Sequence, residues 1–114
     1  MNKQSILIGY TKPHSSDNAS PDVTKILLDL KRANRHGLIA GATGTGKTVT
    51  LQALAESFSS CGVPVFLVDV KGDVSGISQA GKPHPKINER LDILGFPKNP
   101  WKGSPTIFWD LYSQ

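Results

Sequence analysis

The chain has 114 residues, a net charge of +4 and a hydrophobic content of 38%, with 11 glycines and 8 prolines. These values are typical of one loop-rich globular domain, and they exclude collagen, a coiled coil and a disordered tail. The single cysteine, Cys61, excludes an internal disulfide framework. No apolar run is long enough for a signal peptide or a membrane span, so we expect a cytoplasmic chain without a membrane partner.

Apolar and polar segments alternate along the chain. Stretches rich in glycine, proline and polar residues predict loops over 11–22, 71–86 and 95–105. Short apolar runs predict one strand over 26–30 and a second over 37–40, which leads into a glycine-rich turn.

The next segment, 47–60, has the spacing of an amphipathic helix. Its apolar residues recur at i, i+3, i+4 and i+7 and are Leu51, Leu54, Ala55 and Phe58. Gly62 is expected to end this helix. The continuous apolar run 63–68 predicts a strand covered on both faces, as in a parallel sheet. Strand, helix and strand in this order predict a βαβ unit.

The last part of the chain has weaker signals. Residues 87–94 predict a second helix, and 106–109 predict a further strand. We expect one domain over residues 1–114, with a loop-rich lead-in over 1–24 and the βαβ region with its following strand over 25–114.

Residues 41–48 read GATGTGKT and match the pattern G-x-x-x-x-G-K-[ST] of a nucleotide phosphate loop. The glycines permit a tight loop whose backbone N–H groups, with the start of the next helix, form a site for phosphates. The Lys47 ammonium is expected to reach the β- and γ-phosphates, and the Thr48 hydroxyl to ligate Mg²⁺. The expected nucleotide-binding residues are Gly41, Ala42, Thr43, Gly44, Thr45, Gly46, Lys47, Thr48 and Val49.

This motif in this context predicts an α/β P-loop fold with a parallel sheet that binds ATP and Mg²⁺. A dinucleotide-binding G-x-G-x-x-G is excluded locally, because Val49 occupies the third glycine position after Gly44 and Gly46.

Two aspartates, Asp69 and Asp73, follow the predicted strand 63–68. Because ligands bind at the carboxyl ends of strands in open α/β sheets, a carboxylate there can hold the Mg²⁺ shell or a catalytic water. The alternative is a solvated strand end with a turn at Lys71-Gly72. Both readings stay open, so Asp69 and Asp73 are candidates and the catalytic residues are otherwise unknown.

Two longer segments resemble a HerA-like family of bacterial P-loop ATPases related to the HerA and FtsK translocases. Residues 34–52 read NRHGLIAGATGTGKTVTLQ, and residues 62–76 read GVPVFLVDVKGDVSG. The lead-in Arg35-His36-Gly37 and the strand end Asp69-x-Lys71-Gly72-Asp73 are the specific parts of this resemblance. It extends from about Leu28 to the final TIFWDLYSQ.

The resemblance implies a RecA-like ATPase core, ATP and Mg²⁺ as cofactors, a ring-shaped homo-oligomer and DNA as the partner. The phosphate-loop role carries over to matching residues, namely Gly41, Gly44, Gly46, Lys47 and Thr48. Residues 69–73 correspond to the acidic strand-end motif.

The chain departs from that family by what it lacks. No hydrophobic run here is followed by Asp-Glu, the element that supplies the Mg²⁺-shell aspartate and the glutamate acting on water. No arginine can be assigned as a finger. We therefore interpret the chain as the amino-terminal part of such an enzyme and predict weak nucleotide binding with essentially no hydrolysis, because phosphoryl transfer needs several parts at once.

Other P-loop functions remain as alternatives. A small-molecule kinase or a non-catalytic nucleotide-binding fragment would also use residues 41–48. For a GTPase, Asp69-Val70-Lys71-Gly72 fits D-x-x-G, but it follows Lys47 too closely, and the chain has no Asn-Lys-x-Asp to read guanine.

Overall fold

A computed structural model describes residues 4–11, 24–93, 101–110 and 112. The chain forms two compact units, 1–68 and 69–114. The first unit contains strands β1 (Ser5–Tyr10) and β2 (Lys25–Asp29) and helix α1 (Lys47–Ser60). The second contains a short 3₁₀ turn, Ser75–Ser78, and helix α2 (Pro85–Ile93).

Strands β1 and β2 form an antiparallel ladder. Ile6 pairs with Leu28 and Leu7 with Leu27, and the register shifts between Leu7 and Gly9. This irregularity matters for burial, because residues two apart share one face of a regular strand whereas a bulge turns the chain. Ile6 is accordingly buried, while Ile8 is 43% exposed.

Strand β2 ends where Asp29 begins a 3₁₀ turn, Leu30–Arg32. The Asp29 carboxylate accepts a hydrogen bond from the Lys31 backbone N–H at 2.9 Å. Aspartate is favoured at such caps because its short side chain reaches the backbone two residues on. The predicted strand 26–30 is therefore observed, shifted by one residue at each end.

Helix α1 has the bounds that the sequence predicts, and it packs against β1. Ala55, on the predicted apolar face, is buried. Gly62 ends the helix with φ +80°, and its N–H donates to the Ser59 carbonyl while the Val63 N–H donates to Phe58. These two bonds form a Schellman motif, whose left-handed position glycine occupies without strain.

The second unit is held by contacts between its loop segments. The Ser104 N–H donates to the Ile77 carbonyl at 2.9 Å. The Trp101 ring lies so close to Gly81 that a Cβ added there would stand 2.7 Å from it. Val74, which precedes the 3₁₀ turn, is buried. Helix α2 begins with Pro85 two residues before the predicted start, as proline is accepted at the first helical position.

Three of the predicted strands do not belong to a sheet. Among the described residues, 37–40, 63–68 and 106–109 belong to neither strand. Leu38 and Phe66 in these runs are 90% and 77% exposed. A strand requires a hydrogen-bonded neighbour, so the parallel sheet of the α/β fold stays a prediction. Conversely, β1 lies within the predicted loop-rich lead-in and was not predicted.

The described part of the chain includes few buried side chains, which makes the contact between β1 and α1 sensitive to truncation. We expect Ile6→Ala to lower the free energy of unfolding by about 2 kcal/mol, the low end for a buried isoleucine, because the small core collapses easily. Ile8→Ala, the matched control on the exposed side, should cost less than about 1 kcal/mol. Urea unfolding followed by circular dichroism measures both, and equal losses would contradict the bulge-dependent burial.

Candidate functional site

The glycine-rich loop 41–46 leads directly into helix α1. Gly44 and Gly46 have φ values of +80° and +93°, a left-handed conformation that glycine adopts without strain. Gly46 occupies the N-cap position, where it provides no side-chain hydrogen bond. The first N–H groups of a helix have no acceptor within the helix, so this loop ends beside several backbone donors.

Lys47, the first residue of α1, folds back over this loop. Its ammonium donates to the Ala42 carbonyl at 2.7 Å. The same carbonyl accepts the Thr45 hydroxyl at 2.7 Å and, more weakly, the Thr45 backbone N–H at 3.4 Å. The Ala42 carbonyl oxygen therefore bonds both to the lysine at the start of α1 and to Thr45 near the end of the loop.

The Thr45 side chain is also in close contact with Gly41. A Cβ added at Gly41 would stand 2.5 Å from the Thr45 hydroxyl oxygen and 3.7 Å from Cγ of Lys47. Position 41 therefore has room for glycine only while Thr45 keeps this rotamer. The phosphate-loop pattern gives the Thr45 side chain no role, although a threonine bonded to a carbonyl three residues earlier is a common local pattern.

The remaining residues of the predicted site lie on the same short segment. Ala42 and Thr43 are exposed in the loop, and Thr48 is half-buried in the first turn of α1. Val49 is 67% exposed. The structure thus places the predicted nucleotide-binding residues on one continuous loop and helix start.

Asp69 belongs to the second unit, where its carboxylate closes a turn. Oδ1 accepts the N–H groups of Gly72 at 2.9 Å and Asp73 at 3.2 Å, and Oδ2 accepts that of Val74 at 2.9 Å. Gly72 has φ +78°, which this turn requires. The turn that the sequence left as one of two readings at Lys71-Gly72 is therefore present.

These hydrogen bonds lower the pKa of the Asp69 carboxyl. The bond from Val74 has the largest effect, partial desolvation opposes it, and the bonds from Gly72 and Asp73 add to it. Backbone donors favour the ionised form of a carboxyl group. Asp73 contributes its backbone N–H to this turn, and a role for either aspartate at Mg²⁺ or water stays a prediction.

Other residues singled out by the sequence have simple local roles or surface positions. Cys61 is half-buried at the C-cap of α1. The family-like lead-in residues Arg35 and His36 are exposed. The Trp101 ring lies close to Gly81, whereas Trp109 is 78% exposed.

The chain is similar to a known protein family and to a mycobacterial protein. The model of the family described as helicase HerA-like C-terminal matches residues 14–114. The chain is also similar to the ESX-4 secretion system protein EccC4 of Mycobacterium tuberculosis (strain ATCC 25618 / H37Rv), with 38% identity over 74 residues. That alignment covers 57% of this chain and 6% of the relative's length.

Two further findings accompany these matches. No solved structure matches the chain. Within the described ranges, no helix combines the length and the apolar character that crossing a membrane requires.

The Asp69 turn predicts a specific pH response. Because its pKa is lowered in the folded chain, the carboxylate stabilises the turn above its ordinary titration range, and this stabilisation is lost as the pH falls through the lowered value. We expect the amide proton of Val74, followed by NMR from pH 5 to pH 2, to shift with a midpoint below the usual aspartate range.

Asp69→Asn should abolish that titration, since the side-chain amide does not ionise. Asp92→Asn on α2 removes the same charge elsewhere and should leave the Val74 titration unchanged. A Val74 shift that survives Asp69→Asn would show that another group causes it.

Proposed function

Because the chain belongs to the helicase HerA-like C-terminal family, we propose that residues 41–48 bind the phosphates of ATP together with Mg²⁺. The family match identifies a class of proteins related to ATPases. ATP, Mg²⁺ and the residues that bind them are the proposal for this chain.

The start of helix α1 gives the proposal its main structural support. The loop ends at Gly46, and α1 begins at Lys47 without a side-chain cap. A serine, threonine or aspartate at that position would occupy a first-turn N–H itself. Glycine leaves those donors for an anion, and a helix N-terminus favours negative charge.

The side chains at the start of α1 suit a magnesium nucleotide. Lys47 carries three N–H donors on a flexible stem, as suits a triphosphate. Its bond to the Ala42 carbonyl is exposed, so the ammonium can exchange this partner for a phosphate oxygen at modest cost. The hydroxyl of Thr48 is an oxygen ligand of the kind that Mg²⁺ prefers.

For the longer protein to which such a segment would belong, we propose ATP hydrolysis coupled to movement on DNA, carried out by a ring of subunits. Family membership supports this proposal. The chain spans 6% of the length of EccC4, so the partner and the assembly are part of the proposal.

The isolated chain is expected to bind nucleotide without turning it over. Its sequence contains no apolar run ending in Asp-Glu, and the Asp69 carboxylate already accepts three backbone N–H groups of its own turn. A group that orients water would have to come from elsewhere, since positioning and charge stabilisation act together in phosphoryl transfer.

The binding test removes the lysine charge. We expect Lys47→Met to weaken binding of a fluorescent ATP analogue with Mg²⁺ by about ten- to a hundredfold, the effect of losing one charge-assisted hydrogen bond. Lys31→Met, an exposed lysine in the 3₁₀ turn after β2, is the matched control and should bind like the parent chain. Unchanged binding in Lys47→Met would refute the phosphate-loop assignment.

The turnover test uses the same chain. We expect no phosphate release above that of Lys47→Met when the chain is incubated with ATP and Mg²⁺, with or without DNA, because the water-orienting group is missing. Sustained release that disappears in Lys47→Met would contradict this expectation. Transfer to a small acceptor would favour the kinase alternative, and preferential GTP binding would favour the GTPase.

A further inference from the structure

The carbonyl of Ala42 has two strong donors, and they differ in what nucleotide binding demands of them. Both the Lys47 ammonium and the Thr45 hydroxyl lie 2.7 Å from this oxygen. If Lys47 moves to a phosphate, it gives up its bond to Ala42. The Thr45 hydroxyl then supplies the bond that remains.

We infer that Thr45 is a positioning residue of the phosphate loop, whose hydroxyl holds the Ala42 carbonyl when Lys47 moves to the nucleotide. The inference rests on the proposed nucleotide binding by residues 41–48. It assigns the Thr45 side chain a role that the loop motif does not specify, since the motif accepts any residue at this position.

Three contacts fix the Thr45 side chain in place. Its hydroxyl donates to Ala42, and its backbone N–H approaches the same oxygen at 3.4 Å. A Cβ added at Gly41 would stand 2.5 Å from its Oγ1 and 3.4 Å from its Cβ. Thr45, the second-to-last residue of loop 41–46, is therefore linked to the two residues at the start of the loop.

The energetic consequence depends on whether Lys47 is engaged with Ala42. In the free chain, loss of the Thr45 hydroxyl leaves the carbonyl bonded to Lys47. In the nucleotide-bound chain, the same loss leaves only the long 3.4 Å backbone contact and solvent. Because the hydrogen bond is exposed, water solvates the carbonyl that is left, and the loss has the modest size of one ordinary hydrogen bond. The hydroxyl therefore stabilises the bound form more than the free form.

Threonine at position 50 offers a matched control. Its hydroxyl donates to the Gly46 carbonyl at 3.0 Å, and its backbone N–H donates to the same carbonyl at 2.9 Å. Removing that hydroxyl leaves the oxygen with a full backbone hydrogen bond, whether or not Lys47 moves. Thr50→Val therefore deletes a similar hydroxyl without the expected effect on affinity.

The experiment compares Thr45→Val, Thr45→Ser and Thr50→Val in the 114-residue chain. Binding is measured with a fluorescent ATP analogue and Mg²⁺. We expect Thr45→Val to weaken binding about three- to tenfold, the size of one ordinary hydrogen bond. Thr45→Ser keeps the hydroxyl and should bind within twofold of the parent chain, as should Thr50→Val. Equal binding by the parent chain and Thr45→Val would overturn the inference.

A second measurement separates this inference from the proposed function. Amide hydrogen exchange of Gly44 and Gly46 in the absence of nucleotide reports loop order directly. We expect faster exchange in Thr45→Val and parent-like exchange in Thr45→Ser. A parent chain that binds no nucleotide but shows this exchange pattern refutes the proposed function and keeps the loop-ordering role. In a parent chain that does bind nucleotide, unchanged affinity in Thr45→Val refutes the role of Thr45 whatever its exchange rates are.

A double-mutant cycle tests the dependence on Lys47. In Lys47→Met the Ala42 carbonyl has the same partner before and after binding, so adding Thr45→Val should change the residual affinity less than twofold. A further three- to tenfold loss would show that Thr45 acts independently of the lysine, contrary to the inference.

Discussion

The packing of helix α1 on strand β1 is the constraint on which the first unit depends. Both elements carry a buried side chain, Ala55 in the helix and Ile6 in the strand. Because α1 begins at Lys47, fixing the helix also fixes the end of the glycine loop and the lysine that folds over it. Helix α1 therefore joins the hydrophobic contact with β1 to the candidate site.

Polar atoms in the loops are satisfied mainly by their own neighbours. The Ala42 carbonyl accepts the Lys47 ammonium and the Thr45 hydroxyl, and the Asp69 carboxylate accepts three amides of the following turn. The ammonium at Ala42 is a donor that a phosphate can attract, whereas the Asp69 oxygens are acceptors already used by their turn.

The apolar runs of the sequence are exposed in the structure, unlike the strands of the expected parallel sheet. Phe66 and Val68 lie in a run with the composition of a strand covered on both faces, yet they are 77% and 75% exposed. A sheet interior needs neighbouring strands to satisfy its backbone and to cover such side chains. Family membership rests on the sequence match over residues 14–114, and the parallel sheet remains an expectation beside it.

The sequence by itself determined the local features: helix α1 with its end at Gly62, and the glycine loop ahead of Lys47. Helical spacing and glycine conformation act over a few neighbouring residues, so one stretch of sequence contains the whole signal. Strand β1, its bulge and the burial of Ile6 rather than Ile8 were decided by the tertiary structure, because pairing joins residues about twenty positions apart. The folded backbone likewise decided that the Asp69 carboxylate closes a turn and which carbonyl Thr45 meets, since a donor and an acceptor bond only when the chain brings them within about 3 Å.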